Sequence, residues 1–435
     1  MNSEQAHTRS SSSTSNYTLF ILTLLAALAF MDRQILSVVI QPVKTEFNLS
    51  DLQIGLVTGL GFALTFGLLG VPMGKLADRR NRRSLIAYAR GVGGLLALLG
   101  SLSIGFLSLM FTRSGGAISD AGGTPASMSM LADLYPAENR SRAMSVLSAG
   151  ASLGALMALV LGSWLAQHFG WRITVALIGG VTLLMSLLLR YSVPEPARIH
   201  STVPVQTHPE VQQRGAVAAI WAEPFTRWSI LGAAFALLSG YSFGTWNFAM
   251  MIRHHDVSLQ QAGWISGSSA CMSLLGGLAS GALTDKLALR NIRWQLGVPV
   301  MGLGLAYVCG VSYLLMPSGA LTQAVLSVMV FSFFLPWWAA PTYAAISLVV
   351  PSQRRATANA MMLMAGAVVG NGLGAILTGW FSDLLAAQFG ADSLRLALLG
   401  MVCMLIPAMA SFWLAMKAYP AAFHRISKNI PSSHD

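Results

Sequence analysis

Long stretches without a charged residue constrain this chain more than any other feature. Seven of them contain no Asp, Glu, Lys or Arg: 91–112, 143–171, 173–189, 228–252, 257–284, 294–353 and 356–382. A helix that crosses about 30 Å of hydrocarbon needs about 20 mostly apolar residues, so each stretch can hold at least one crossing. The whole chain is 54% hydrophobic and 10% charged, against about 25% charged in soluble domains. This composition argues against a soluble enzyme, a disordered chain or a disulfide scaffold.

The same stretches predict twelve membrane-spanning helices. The stretch 294–353 is too long for one crossing and is divided by turn residues at 316–319. The predicted helices outside the charge-free stretches lie at 17–41, 52–76, 113–134 and 393–416. We therefore expect an all-α membrane protein with 12 transmembrane helices.

The placement of positive charge predicts the orientation. The chain has 27 Lys and Arg against 16 Asp and Glu, a net charge of +11. Cytoplasmic loops carry an excess of Lys and Arg, and most of them lie on one side if both termini are cytoplasmic. In so apolar a chain this charge indicates topology, and no nucleic-acid partner is expected. Residues 1–15 lack the features of a signal peptide, so the first helix is expected to remain in the protein.

A weak internal repeat divides the chain. Residues 49–55 resemble 257–263, and 74–78 resemble 281–285 at nearly the same spacing. The predicted domains are a cytoplasmic N-terminal tail, a six-helix bundle, a Pro-rich cytoplasmic linker, a second six-helix bundle and a cytoplasmic C-terminal tail. Their bounds are 1–16, 17–192, 193–226, 227–417 and 418–435. Transporters built from such repeats place a substrate site near the bilayer midplane.

The segment after the second predicted helix carries a motif, Gly-Lys-Leu-Ala-Asp-Arg-Arg-Asn-Arg-Arg over residues 74–83. Gly74 is expected to permit close helix packing, and Asp78 to cap a helix N-terminus. The segment resembles the loop 2–3 signature of the major facilitator superfamily, and Asp285 ends a degenerate copy. The resemblance implies two pseudo-symmetric six-helix bundles. It also implies a cytoplasmic gate motif formed by Gly74, Asp78, Arg79, Arg82, Arg83 and Asp285.

A narrower resemblance is to the spinster branch of that superfamily. It rests on the run 30–33, the run 46–51, Arg113 and the run 120–127. Spinster-like proteins typically carry Glu at the position of Asp120, so the acid is retained but is one methylene shorter. The branch is associated with lysolipids and sphingoid lipids, which implies a lipid-like substrate.

Five charges fall inside predicted spans of the first half: Asp32, Arg33, Arg90, Arg113 and Asp120. A charge at the bilayer centre costs on the order of 3 kcal/mol and must face a partner or a cavity. We expect Asp32 and Asp120 to take up and release protons, with Arg113 as the switchable partner of Asp32. Arg90 begins the third predicted helix near the cytoplasmic surface, and snorkelling explains its position. The structural alternative is that these are static ion pairs that fix helix register.

Substrate contacts are predicted in both halves. Arg33 aligns with Ser37 on one helix, and Arg113, Asp120 and Thr124 share a face of another. The complete predicted set is Arg33, Ser37, Arg113, Asp120, Thr124, Trp246, Asn247, Trp337 and Asn371. Two alternatives stay open: Trp246 and Asn247 act as an outer gate or as interfacial anchors, and Trp337 lines a cavity or faces lipid.

These features predict a proton-coupled secondary active transporter of an amphipathic substrate, in the inner membrane of a bacterium. The expected partners are membrane lipids, protons and the substrate, and we expect a monomer. The alternatives are a proton-linked transporter of small organic anions, sugars or drugs, and a membrane sensor that does not transport. No cofactor, metal site or catalytic residue is expected, because the sequence has no nucleophile–base set and no metal-ligand spacing.

Overall fold

The computed structural model of the protein describes residues 2–196, 218–350 and 352–427. Within these ranges all regular secondary structure is helical. The central part of the predicted linker, 197–217, lies outside the described residues, as do 428–435 of the predicted C-terminal tail. The chain divides into two compact units. One comprises Met1–Pro204 and Val257–Trp264, and the other comprises Val205–Asp256 and Ile265–Asp435.

The first unit is built from seven helices along the N-terminal half. They are α1 Asn2–Phe47, α2 Asp51–Gly55, α3 Gly61–Arg79, α4 Arg82–Gly100, α5 Phe106–Leu134, α6 Ala137–Met157 and α7 Ser163–Ser192. Short π-helical turns join α2 to α3 and α6 to α7, so each of these pairs continues as one helical rod.

The second unit is built in the same manner from the C-terminal half. Its helices are α8 Pro224–His255, α9 Leu259–Ala288, α10 Trp294–Leu315, α11 Leu321–Phe334, α12 Ala339–Val349, α13 Ser352–Ala365, α14 Gly374–Phe389, α15 Ser393–Cys403 and α16 Leu405–Ser427. Helix α9 belongs to this unit from Ile265 onward. A 3₁₀ segment, Leu335–Trp338, joins α11 to α12 at the proline that the sequence places there.

Residues with turn or capping chemistry stand at the helix ends. Ser50 forms a capping box with Gln53 at the start of α2, and Pro136 precedes α6. Gly170 and Gly390, each of which follows a phenylalanine, have positive φ angles of 79° and 52°. A side chain is strained in that backbone region, so the two halves use glycine for the same local reason.

Apolar side chains form the centre of the first unit. Leu22, Ile86, Met130 and Leu131 are among the buried members of one cluster, which draws on α1, α3, α4, α5, α6 and α7. Small residues let these helices approach closely: a Cβ added at Gly94 would lie 2.8 Å from the carbonyl oxygen of Gly179 on α7. This close packing holds α1, α4 and α5 together, and these helices carry the charged residues.

Six helical segments of the described residues are long and apolar enough to cross a membrane: Thr14–Phe47, Asp51–Gly70, Glu138–Ser192, Trp294–Leu315, Leu321–Val349 and Gly366–Arg425. The third and the sixth are 55 and 60 residues long, and each contains one of the positive-φ glycines. Both exceed the length of about 20 residues that one crossing needs. The count of twelve spans stays a prediction.

Candidate functional site: a buried charge network in the first unit

Helices α1 and α5 bring Asp32 and Arg113 together. The Nη1 atom of Arg113 lies 3.3 Å from Oδ1 of Asp32, and Nη2 donates to the main-chain carbonyl of Asp32 at 3.0 Å. Asp32 is only 7% exposed. Gly116 leaves room for the carboxylate, because a Cβ there would lie 3.4 Å from Oδ2 of Asp32. An ion pair on two separate helices can be made and broken as those helices move.

Arg33 projects to another side of α1 and reaches a different acid. Its Nη1 atom lies 4.0 Å from Oδ2 of Asp120. The guanidinium also lies 4.3 Å from the ring centroid of Phe62 on α3, a distance at which a cation is attracted to an aromatic face. The side chain of Arg33 is 26% exposed, more than any other member of this network. It is therefore the group best placed to meet a ligand.

Arg90 is a member of the network that the sequence analysis assigned to the membrane surface. Its Nη1 atom lies 3.0 Å from Oδ1 of Asp120 and donates to the hydroxyl of Ser119 at 3.0 Å. Its Nη2 atom donates to the hydroxyl of Thr124 at 3.3 Å. The residue is 3% exposed, so the snorkelling prediction was wrong. Position along the helix suggested the surface, but the absence of a side chain at Gly123 on α5 makes an interior site for it.

Two of the predicted substrate contacts already have protein partners. The hydroxyl of Ser37 donates to the carbonyl of Gln34 at 2.6 Å and accepts from the Gln34 amide at 2.8 Å. The hydroxyl of Thr124 accepts from Arg90. Both residues support the charged side chains or their helix in this structure, and a contact with substrate stays a prediction for each.

In the second unit, Trp246 and Asn247 are packing residues. Trp246 is completely buried, and its indole N–H donates to the carbonyl of Ala375 at 3.0 Å. The amide oxygen of Asn247 accepts from the Tyr313 hydroxyl at 2.7 Å. The interfacial-anchor alternative is wrong for both, because neither side chain is available at a membrane surface. The gate alternative has no support in this arrangement, since their hydrogen-bonding atoms are used inside the unit.

Trp337 and Asn371 differ from Trp246 and Asn247 in that they are better able to form hydrogen bonds with a ligand. Trp337 is 6% exposed and packs against Phe333 and Phe334, so the lipid-facing alternative is wrong. Its buried indole nitrogen has no hydrogen-bond partner among the described residues. Asn371 is half-buried on a π-helical segment between α13 and α14. Both remain candidates for substrate contact in the second unit.

The motif after α3 forms a cluster of ion pairs around Arg82. This side chain is 1% exposed and contacts Asp133 on α5, while its Nε atom donates to Glu195 at 3.1 Å. Glu195 also accepts from the main-chain N–H groups of Arg82 at 3.1 Å and Arg83 at 2.7 Å, the first turn of α4. Burial opposes the charge of Arg82, but the hydrogen bonds to Asp133 and Glu195 raise the pKa of its guanidinium overall. Arg83 donates to the carbonyl of Val193 at 3.1 Å.

Other predictions for this motif need correction. A Cβ added at Gly74 would meet nothing within 4 Å, so Gly74 does not serve close packing here. The residue that caps α4 is Asn81, whose side chain accepts from the N–H of Ser84 at 2.8 Å. Asp78 lies inside α3, and its side chain is outside the described part of the structure. Arg79 and Asp285 are exposed, at the ends of α3 and α9.

Sequence reasoning misplaced Arg90 and missed Ser119, Asp133 and Glu195. One signal could have placed Arg90 correctly. Arg90 stands three residues before Gly93-Gly94, and the facing stretch of α5 is also rich in glycine, a pattern of close approach between helices. Glu195 follows the last helix of the first half, but nothing local indicates that it returns to the N-terminus of α4.

These observations define a multi-pass integral membrane protein with an ion-pair network inside a bundle of helices. Residues 22–370 match the profile of the Major Facilitator Superfamily. The chain belongs to this family of transporters, as the resemblance in the sequence indicated.

Two relatives show the range of similarity. A Mycolicibacterium smegmatis protein named "MFS-type efflux pump" is 30% identical over 408 residues, which cover 92% of each chain. "Protein spinster homolog 1" of Xenopus laevis is 29% identical over 181 residues, which cover 41% of this chain and 34% of that protein.

The crystal structure of a bacterial homologue of the human lysosomal transporter spinster resembles this one, with a TM-score of 0.83 and 27% identity. The match covers 94% of this chain and 98% of that chain. That homologue is described as inward-facing and unoccupied. The resemblance to spinster proteins is confirmed.

Proposed function

We propose that this protein is a proton-coupled secondary active transporter of an amphipathic substrate, of the lysophospholipid or sphingoid class, that works by alternating access. The observation that carries the proposal is the pair between Asp32 and Arg113 at 3.3 Å, deep in the first unit. A buried carboxylate with a single arginine partner can bind a proton and release the arginine, which couples protonation to the separation of two helices. Asp32 and Arg113 are the proposed proton-coupling residues.

The proposed topology follows from the distribution of charge. Twelve spans with both termini in the cytoplasm would place most Lys and Arg side chains on the cytoplasmic side. The cluster around Arg82 would lie at that surface and act as part of a cytoplasmic gate. We place the protein in the inner membrane of a bacterium, in keeping with its similarity to bacterial transporters over nearly the whole chain.

The proposed substrate class follows from Arg33. Its partly exposed guanidinium can bind an anionic headgroup, and the face of Phe62 beside it offers apolar surface to the adjoining part of the molecule. In the second unit we propose two polar contacts: half-buried Asn371, and the indole N–H of Trp337, which has no hydrogen-bond partner in the part of the chain that the structure describes. A lipid-like substrate is also what the resemblance to the spinster branch implies.

A second candidate is a proton-linked transporter of small organic anions or drugs. The M. smegmatis relative that is named an efflux pump matches 92% of this chain and favours export as the direction of transport. An arginine that binds the phosphate of a lysolipid can bind a short carboxylic acid equally well. The two candidates therefore differ in the apolar part of the substrate.

The test is flux into proteoliposomes across an imposed pH gradient, with a long-chain lysophospholipid, a sphingoid base, a short dicarboxylic acid and a cationic drug as substrates. We expect pH-driven flux of the lysophospholipid in the wild type and its loss in Asp32→Asn. Glu138→Gln is the matched control, because Glu138 is an exposed carboxylate at the start of α6. It should leave flux unchanged.

Three outcomes would contradict the proposal. Flux that is independent of pH for every transported substrate removes proton coupling. Flux of the short acid alone selects the second candidate. Binding of a substrate without flux indicates a sensor.

A further inference from the structure

We infer that Arg90 is a positioning residue that holds Asp120 in its ionised form, so that Asp120 is a fixed counter-ion for Arg33 and not a second proton carrier. The inference rests on the proposed function, because it divides the roles of the two buried acids within that transport cycle. It revises the expectation that Asp32 and Asp120 both carry protons.

The two acids have different surroundings. Asp32 has one guanidinium near one of its oxygens, Arg113 at 3.3 Å from Oδ1. Asp120 has a guanidinium at each oxygen, Arg90 at 3.0 Å from Oδ1 and Arg33 at 4.0 Å from Oδ2. A proton on Asp120 would have to compete with two positive charges in a medium of low dielectric constant. A proton on Asp32 competes with one.

The guanidinium of Arg90 is held in place by hydrogen bonds and by close packing. Both of its terminal nitrogens are engaged, since Ser119 and Thr124 accept from them in addition to Asp120. Its Nε atom is buried without a hydrogen-bond partner among the described residues, and a Cβ at Gly123 would lie 2.8 Å from its Cζ atom. The guanidinium is therefore locked between α4 and α5. Arg113, with a side-chain exposure of 14% against 3% for Arg90, is less enclosed.

Charged groups on three helices face Asp120. From α1 these are Arg33 and, within electrostatic range, Asp32. From α5 itself there is Arg113, which is paired with Asp32, and from α4 there is Arg90. The network comprises three arginines and two acids, so it carries one net positive charge when both acids are ionised. Arg33, the most exposed of the five, presents that charge to an anionic group of the substrate.

Infrared difference spectroscopy of the purified protein between pH 8 and pH 5 tests the inference without transport. The wild type and Asp120→Asn should show the C=O stretch of one newly protonated carboxylic acid, and Asp32→Asn should lose it. Arg90→Gln should show a second such band, because Asp120 has then lost its closer guanidinium. The double variant Arg90→Gln with Asp120→Asn should lose that second band. Arg90→Lys, which keeps the charge, should not gain it.

Loss of the wild-type band in Asp120→Asn, or no second band in Arg90→Gln, would overturn the inference. A wild-type protein without any band would refute Asp32 as the proton carrier and hence the proposed function. In that case, a band that appears in Arg90→Gln would still show that Arg90 keeps Asp120 ionised. The two failures are therefore distinguishable.

A steric variant gives a second route where Arg90→Gln does not fold. Gly123→Ala should displace Arg90 and produce part of the second band. Gly180→Ala is its control, because a Cβ at Gly180, on α7 of the same unit, would meet nothing within 4 Å. A second band in both variants, or in neither, would contradict the inference.

Transport kinetics distinguish a role of Asp120 in orienting Arg33 from a role in the stability of the protein alone. Asp120→Asn should raise the apparent KM for an anionic lysophospholipid about tenfold, because Arg33 is no longer oriented. It should leave a pH profile with one titrating group, as in the wild type, although the midpoint can move because Asp32 lies within electrostatic range of Asp120. A merely structural role would lower the amount of active protein and therefore the maximum rate alone. A wild-type profile with two titrating groups that becomes a profile with one in Asp120→Asn would show that Asp120 titrates, against the inference.

Discussion

Arg113 holds Asp32 at two points, the carboxylate at 3.3 Å and the main-chain carbonyl of the same residue at 3.0 Å. The two contacts respond differently to a proton. Protonation of the carboxylate weakens the first contact and leaves the second, so the arginine stays near α1 while its charge becomes available. Because one guanidinium presents several N–H groups in a fixed plane, it can make both contacts at once.

The first prediction concerns this double contact. Arg113→Lys keeps the charge but replaces the planar guanidinium with a single ammonium group. That group cannot contact the carboxylate and the main-chain carbonyl of Asp32 in the same way. We expect pH-driven flux to fall by about tenfold, which corresponds to about 1.4 kcal/mol. Flux in proteoliposomes measures this. Arg142→Lys, which changes an exposed arginine on α6, is the control. Equal flux in Arg113→Lys and the wild type would show that charge alone suffices.

The second prediction concerns Glu195, which accepts from two main-chain N–H groups at the start of α4 and from Arg82. Glu195→Gln keeps the size of the side chain but removes the charge and one of its two acceptors. We expect a loss of about 1–3 kcal/mol of stability, measured as a lower Tm in detergent. Glu138→Gln, on an exposed turn, should not change Tm. An unchanged Tm in Glu195→Gln would mean that water replaces these bonds without cost.

The third prediction separates a packing role of Asn247 from a substrate contact. Tyr313→Phe removes the hydroxyl that donates to Asn247 and leaves a buried amide oxygen without its partner. We expect a loss of about 1–3 kcal/mol of stability, visible as a lower Tm, and an unchanged apparent KM. Tyr191→Phe, at an exposed position, is the control. A large change in KM with an unchanged Tm would return Asn247 to the substrate site.

The fourth prediction concerns pH and His255, which follows the predicted seventh span. Burial lowers the pKa of this imidazole, and nearby His254 and Arg395 act in the same direction, although a hydrogen bond to the carbonyl of Ser318 opposes them. The unfolded chain binds the proton more readily, at a pKa of about 6.5. The stability that neutral His255 contributes is therefore complete above about pH 6.5 and is lost as the pH falls below that value.

The measurement is Tm in detergent between pH 8 and pH 5. The fall in Tm at acid pH should be smaller in His255→Asn, which keeps a donor for the Ser318 carbonyl and does not titrate. Asp392 lies on the far side of His254, at 2.9 Å from its Nδ1 atom, and is unchanged in this variant. The exposed residue His168 gives the control, His168→Asn, which should follow the wild type. The same fall in His255→Asn as in the wild type would contradict the prediction.

Several features of the fold could be predicted from the sequence because their causes are local. The charge-free stretches indicated the helices, since a helix satisfies its backbone hydrogen bonds within one apolar segment, as the membrane interior requires. Gly170 and Gly390 marked two turns, because each has a positive φ angle there. The pairing of Asp32 with Arg113 could be anticipated because few charges are available inside the first half.

Other features depended on contacts between distant helices. The sequence did not indicate that Arg90 is buried, because its interior site is made by glycines on α5, some 30 residues later in the chain. The helix continues past Asp78 to Arg79, and Asn81 caps α4; the side chain of Asp78 lies outside the described residues, so its cap stays a prediction. Trp246 was assigned to the outer edge from its position in the chain, although it packs against Ala375, 129 residues away.

The sequence by itself determined that this chain is a helical membrane protein with a small set of charges that must find partners inside it. It determined this because the cost of an exposed backbone or charge in hydrocarbon depends on residue type and segment length alone. The tertiary structure decided which arginine meets which acid, and thus that Asp120 lies between two arginines while Asp32 meets one. Partner choice depends on distances between helices, and those distances are set by side chains that are far apart in the sequence.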